Sequence, residues 1–133
     1  MRINMPDKRP SDKVELNIDF PQEDEFAFCN TQPFGYYNFF YFPKQYKDFY
    51  AKSVKLEGLK KTEKADWFAR YDAMVRKALI NTAKQRIVIK NPINTARVDK
   101  LLALYPDAKF LFLYRNPITV FHSTHRFFLQ LFP

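Results

Sequence analysis

Arg115-Asn116-Pro117, with Ser123 eight positions after the arginine, is the stretch of this chain best equipped for chemistry. A planar guanidinium and a hydroxyl can grip one phosphate together, the first through a fork of N–H donors and the second through a single bond. Ser123 falls in the second turn of a helix expected to open at Asn116-Pro117, about 10 Å along the axis from the cap at roughly 1.5 Å per residue. Lys90 ends an earlier apolar run, Ile87-Val88-Ile89, and adds a second cation. A third group is Glu23-Asp24-Glu25 behind Pro21. It places three acids in a first helical turn, where the macrodipole favours them. Helix-end electrostatics is the plainer reading of these acids. The sharper one is a base for an acceptor hydroxyl, since a carboxylate beside an apolar wall can take that proton, and Glu25 is its candidate.

Positioning these groups falls to residues 86–128, which read as strand, helix, strand, helix. The run 87–89 stops at Lys90-Asn91-Pro92, where a proline without N–H should end a strand. Val98, Leu101, Leu102 and Tyr105 recur at i, i+3, i+4 and i+7, which puts four side chains on one helical face. Asn94 or Thr95 can cap that helix, and Pro106-Asp107 closes it. Phe110 to Tyr114 is a continuous apolar run, as expected of a strand buried on both faces. Two such strands joined by one helix make a right-handed crossover. Residues 86–90 and 109–114 are therefore expected as adjacent parallel strands, joined by a helix over about 95–105. Ligands in such sheets sit outside the strands' carboxyl ends, where Lys90 and Arg115 would give one crevice a positive field suited to phosphate or sulfate.

Upstream, residues 1–20 read as a lead-in, with alternation at 14–18 suggesting a short extended piece. Residues 21–83 read as mainly helical. Phe34 to Phe42 holds seven aromatics in nine residues. Core packing is the favoured reading, a wall for a sugar or aromatic acceptor the functional one, and stacking on RNA bases a weaker third. A short amphipathic helix is expected over 44–52. Thr62 can cap a longer helix to about Ala83, with Phe68, Tyr71, Val75, Ala78 and Leu79 on one face. Lys64, Arg70, Lys77 and Lys84 on the other read as a solvated surface.

A chain of 133 residues with 47% hydrophobic content can build one core. Its formal charge of +8 favours anionic partners, among them nucleotides, sulfated glycans, nucleic acid and acidic membranes, without choosing between them. A single cysteine, Cys29, excludes an intrachain disulfide, and there is no Ser/His/Asp order and no zinc-ligand spacing, so no metal is called for. His122 and His125 flank Ser123 but receive no role. No apolar run approaches membrane-spanning length and no targeting segment is visible, so a cytoplasmic location is expected.

The Arg115-Asn116-Pro117…Ser123 arrangement resembles the 3′-phosphate-binding motif of sulfotransferases, which use 3′-phosphoadenosine 5′-phosphosulfate as donor. Ile89-Lys90-Asn91-Pro92 through Arg97, Leu101-Leu102 and Tyr105-Pro106-Asp107-Ala108-Lys109-Phe110 are similar to the same family's Lys-Ser-Pro, helix and Phe-Pro-Asp-Ala-Lys-Phe segment. Pro21 to Ala27 resembles an acidic helix start of its bacterial-type members. The resemblance implies a partial α/β, parallel-sheet, P-loop-like fold with a helical N-terminal portion, over residues 1–133 as a single partial domain. It implies that Arg115 and Ser123 hold the 3′-phosphate and that Lys90 stabilises the leaving group's bridging oxygen. Glu25 would act as base toward a hydroxyl acceptor such as a glycan, lipid or small molecule, with no metal and no nucleic-acid partner. Asn94 stands where such enzymes usually carry a His. Only Gly35 and Gly58 are present, neither in a glycine-rich strand-to-helix turn, so the loop that cradles the 5′-phosphosulfate is not expected here. The competing readings are a non-catalytic basic and aromatic module that binds an anionic polymer, and an inactive truncated product.

Overall fold

Trp67, Tyr71 and Val75 lie at i, i+4 and i+8 and give the longest helix one apolar stripe. In the computed structural model, which describes residues 6–9, 13–17 and 19–132, all three are buried. Five α-helices are described: α1 Asp24–Cys29, α2 Tyr46–Phe49, α3 Lys61–Thr82, α4 Val98–Leu104 and α5 Pro117–Leu131. Tight 3₁₀ turns run over Tyr36–Phe40, Pro43–Gln45 and Pro92–Ala96. A wide π turn, Tyr50–Lys55, continues α2 until Leu56, at φ 56°, turns the chain out of it.

The chain divides into two units, Gln22–Phe110 and Met1–Pro21 with Leu111–Pro133. The first is built on aromatic contacts. Phe28 of α1 meets Trp67 and Tyr71 edge-on, with centroids 5.2 and 5.3 Å away, and the Trp67 and Tyr71 rings stack at 5°. Leu56, Val75 and Leu101 complete this core, with Ile89, Leu104 and Tyr105 packed against it. Fully burying a side chain such as Phe28 contributes roughly 1.5–3 kcal/mol. Helix α3 begins one turn's fraction earlier than Thr62 suggests, because Glu63 reaches back to accept from the Lys60 N–H at 2.7 Å.

The expected parallel sheet is absent: among the described residues there is no strand, only an isolated antiparallel bridge between Lys8 and Glu15. Residues 86–90 and 109–114 are irregular, and Val88, Leu111, Leu113 and Tyr114 are exposed by 85% or more. An apolar run becomes a strand only where a neighbouring backbone takes its N–H and C=O groups, and here neither run pairs with the other. Lys90 and Arg115 therefore do not mark strand ends. Two helical expectations, one between these runs and one after them, do appear. Helix α4 carries Val98, Leu101 and Leu102 and ends before Pro106, though Asn94 and Thr95 form the preceding 3₁₀ turn rather than its cap. Helix α5 opens at Asn116-Pro117, with the Asn116 Oδ1 accepting from Ile118 N at 2.9 Å and Thr119 N at 3.4 Å. Of the extended piece expected at 14–18, Ile18 lies outside the described residues.

Helix α1 and the 36–40 turn approach closely at Gly35. A Cβ there would stand 2.3 Å from Cys29 Sγ and 2.5 Å from its Cα, so space rather than backbone conformation demands glycine. Gly35→Ala should destabilise by at least about 1–3 kcal/mol, the usual cost of overpacking. A lower urea midpoint with an unchanged slope would register this, and an unchanged midpoint would show that the two segments separate freely.

Candidate functional site

The three acids at the start of α1 each tie a different segment to the helix. Glu25 and Phe28 share one helical face at i and i+3, so the core contact of Phe28 carries Glu25 inward. Its carboxylate is fully buried and meets Arg97, also fully buried, in a two-pronged pair at 2.6 and 3.1 Å. Glu25 Oε1 also accepts from the Tyr36 backbone N–H at 3.0 Å. Arg97 donates to the Ser53 hydroxyl, which the π turn directs inward, and its guanidinium lies 5.3 Å from the Trp67 ring centre. Asp24 accepts from the Tyr71 hydroxyl at 2.7 Å and from Asn91 Nδ2 at 2.8 Å. Glu23, half-buried, accepts from the Tyr37 hydroxyl on one oxygen and from Lys90 Nζ, at 2.5 Å, on the other.

These contacts redistribute the roles expected of the acids. Glu25, the expected base, has no exposed surface and four donors, counting the Cys29 thiol at 3.7 Å, on its two oxygens. The donors around this enclosed carboxylate all come from the protein's own frame. Lys90 keeps its side chain 75% exposed, with Glu23 as its partner. Asn94, at the position where a His was expected, sends Nδ2 toward the Tyr71 hydroxyl at 3.5 Å and leaves Oδ1 buried without a partner. Arg97, Ser53, Tyr37 and Tyr71 joined the cluster without having been read as partners of these acids. Only the pairing of Glu25 with Phe28 on one face signalled that a buried cation had to exist.

Arg115 and Ser123 belong to the other unit, and both are exposed there. Arg115 immediately precedes the Asn116 cap and Ser123 lies on α5 itself. Among the described residues no helix is long and apolar enough to cross a membrane, and no group of three or more His, Cys, Asp or Glu is placed to hold a metal ion.

Burial raises the titrating groups around the acids. It pushes the Cys29 thiol up from its ordinary 9.0 to about 12, with the Glu25 charge adding to the effect. Burial, then the Asp24 carboxylate, holds the Tyr71 phenol above its ordinary 10.0, and burial with the Glu23 hydrogen bond does the same for Tyr37.

These elements carry the sequence signature of one family. The sequence model of the sulfotransferase family matches residues 16–132, and the chain belongs to that family. Two curated relatives are the omega-hydroxy-beta-dihydromenaquinone-9 sulfotransferases Stf3 of Mycobacterium bovis (strain ATCC BAA-935 / AF2122/97) and Mycobacterium tuberculosis (strain CDC 1551 / Oshkosh). Each is 30% identical over 119 residues, which is 87% of this chain and 29% of the relative. The chain thus spans less than a third of their length. No solved structure matches.

Two measurements follow from the cluster. Arg97→Met strands a buried carboxylate and should cost about 3–5 kcal/mol, whereas adding Glu25→Leu should recover most of the loss. Urea unfolding of the three chains checks this, and a milder effect in the single variant would mean that water reaches Glu25. A thiol and phenols whose folded pKa values are raised contribute stability that is complete below their unfolded values. That stability is lost as pH rises from about 9, the thiol's ordinary value, toward its folded value of about 12. The melting temperature should fall steadily across this range, and Cys29 should react with iodoacetamide at pH 8.5 far more slowly in folded than in urea-unfolded protein.

Proposed function

We propose that this chain is part of a sulfotransferase that moves a sulfuryl group from 3′-phosphoadenosine 5′-phosphosulfate to a hydroxyl acceptor. Residues 1–133 supply a single partial domain of it, comprising the 3′-phosphate contacts and Lys90. The observation that carries this reading is the exposed Arg115 directly before the Asn116-capped start of α5, with Ser123 on the same helix, all inside the stretch matched to the family. These groups fit a phosphate dianion. A guanidinium fork and a hydroxyl stand free of the core, next to a helix start whose field favours negative charge.

Sulfuryl transfer is an in-line displacement in which negative charge grows on the leaving phosphate, so positioned cations supply most of the help. Lys90 is assigned to the bridging oxygen of that leaving group, and its ion pair with Glu23 must loosen as the donor arrives. The 5′-phosphosulfate side has no such fit: Gly35 is occupied by packing against Cys29, and Gly58 lies in an open turn at φ 70°. Glu25 serves by holding Arg97. The acceptor is a hydroxyl-bearing glycan, lipid or small molecule, and the names of the two Stf3 relatives, which specify an omega-hydroxy menaquinone, support the lipid class. A cytoplasmic setting belongs to the same reading, supported by the unpaired thiol of Cys29. The alternative, a polymer-binding stripe through Lys64, Arg70, Lys77 and Lys84, is weakened at Arg70, which is paired with Asp66 one turn back at 2.6 Å.

Arg115→Ala should remove charge-assisted hydrogen bonds and weaken adenosine 3′,5′-bisphosphate binding about tenfold to a hundredfold, equivalent to roughly 1.5–3 kcal/mol. AMP, which has no 3′-phosphate, should bind almost equally to parent and variant. Arg115→Lys should restore the preference only in part. Calorimetry on the full-length protein reads all three. An intact preference for bisphosphate over AMP in Arg115→Ala, with a depressed melting temperature, would assign Arg115 to the fold.

A further inference from the structure

Among the acids where α1 begins, Glu25 is sealed and Asp24 is committed to Tyr71 and Asn91, which leaves the cap residue Glu23. Its side chain is 21% exposed, and Tyr37 and Lys90 engage one site on each oxygen. A carboxylate offers about four acceptor sites, so an incoming hydroxyl can still bond to Glu23. Its partner is the cation assigned to the leaving group. An aromatic ledge also begins at Glu23. Tyr37, which donates to it, packs on Phe26 with centroids 4.7 Å apart and on Phe40 at 5.3 Å, and Phe26 is half exposed.

We propose that Glu23 is the base that takes the acceptor's proton, and that the acceptor is an alcohol whose apolar body lies along Phe26 and Tyr37. This inference rests on the sulfotransferase reading. The acceptor oxygen forms its bond to sulfur as the sulfur–oxygen bond to the 5′-phosphate breaks with its electron pair, and the hydroxyl proton passes to a free lone pair of Glu23. Lys90, paired with Glu23 before the donor arrives, then turns to the leaving oxygen. Tyr37 holds the carboxylate's orientation throughout.

The test compares full-length parent, Glu23→Gln and Glu25→Gln in two directions. Transfer to benzyl alcohol requires a proton acceptor, whereas transfer from 4-nitrophenyl sulfate to adenosine 3′,5′-bisphosphate releases a phenolate that needs no proton. Glu23→Gln should slow the first by roughly 10²–10⁴-fold and the second by less than about tenfold. It should also abolish the acid limb of the benzyl alcohol pH profile. Bisphosphate affinity, read by calorimetry, should be unchanged or severalfold tighter, because Lys90 loses a competing carboxylate. Equal losses in both directions, a tenfold fall in bisphosphate affinity, or a selective loss in a stably folded Glu25→Gln instead would overturn the proposal. If Glu23→Gln does not fold, Glu23→Asp decides: a falling ratio of the two rates supports the assignment and an unchanged ratio overturns it. A parent inactive in both directions sinks the sulfotransferase reading itself, and this inference with it.

Discussion

The buried pair between Glu25 and Arg97 is the constraint on which the larger unit depends. Removing a carboxylate and a guanidinium from water costs several kcal/mol each, and only good geometry with further hydrogen bonds offsets that. Here the offset comes from four directions: a two-pronged contact, the Tyr36 N–H, the Ser53 hydroxyl and the Trp67 ring face. The compensation is not complete, since Arg97 Nε and the neighbouring Trp67 Nε1 are buried without partners. The 50–55 segment, the 36–40 turn, α3 and the end of the 92–96 turn must all be in place together before the charges are satisfied. That requirement makes the arrangement all-or-none.

Around this pair, one helical turn does three jobs by direction alone. Residues 23, 24 and 25 carry nearly the same chemistry, but successive positions on a helix point about 100° apart. That rotation sends Glu25 into the core and Asp24 against the Tyr71 and Asn91 side chains at its edge, while Glu23, the extended cap residue just before the helix, stays at the surface beside Lys90. Burial therefore sorts identical functional groups into a structural anchor, a brace and an accessible carboxylate. The same sorting applies to the cations, with Arg97 spent on the frame and Lys90 left at the boundary.

Helices were the legible part of the sequence. The apolar spacing of α3 and α4 and the Asn116-Pro117 start of α5 are local signals, set by residues within a turn or two of one another. The sheet was not legible because an apolar run such as 110–114 states a need for burial without saying what meets it, and strand pairing is decided by distant backbone. The acid cluster was half visible. Its helix-start position was plain, but Glu25 and Arg97 are 72 residues apart, and no periodicity reaches that far. The π turn escaped for a related reason: its inward Ser53 makes sense only once Arg97 is beside it. The Arg115-Asn116-Pro117…Ser123 spacing is a local pattern of the same kind, and Arg115 and Ser123 stand exposed on the unit that carries α5.

The exposed run from Leu111 to Tyr114, with Phe110 before it, has a consequence of a different kind. It is aromatic and aliphatic throughout, uncharged and without proline, and Leu111 is 90% exposed. At five residues it is one short of the six- or seven-residue segments that make cross-β stacks between chains, and it has the same composition. Lys109 and Arg115 bracket it, and charges in those places repel a second copy of the segment and act as gatekeepers against assembly. In a concentrated solution, losing the charge of either Lys109 or Arg115 would remove half of that guard.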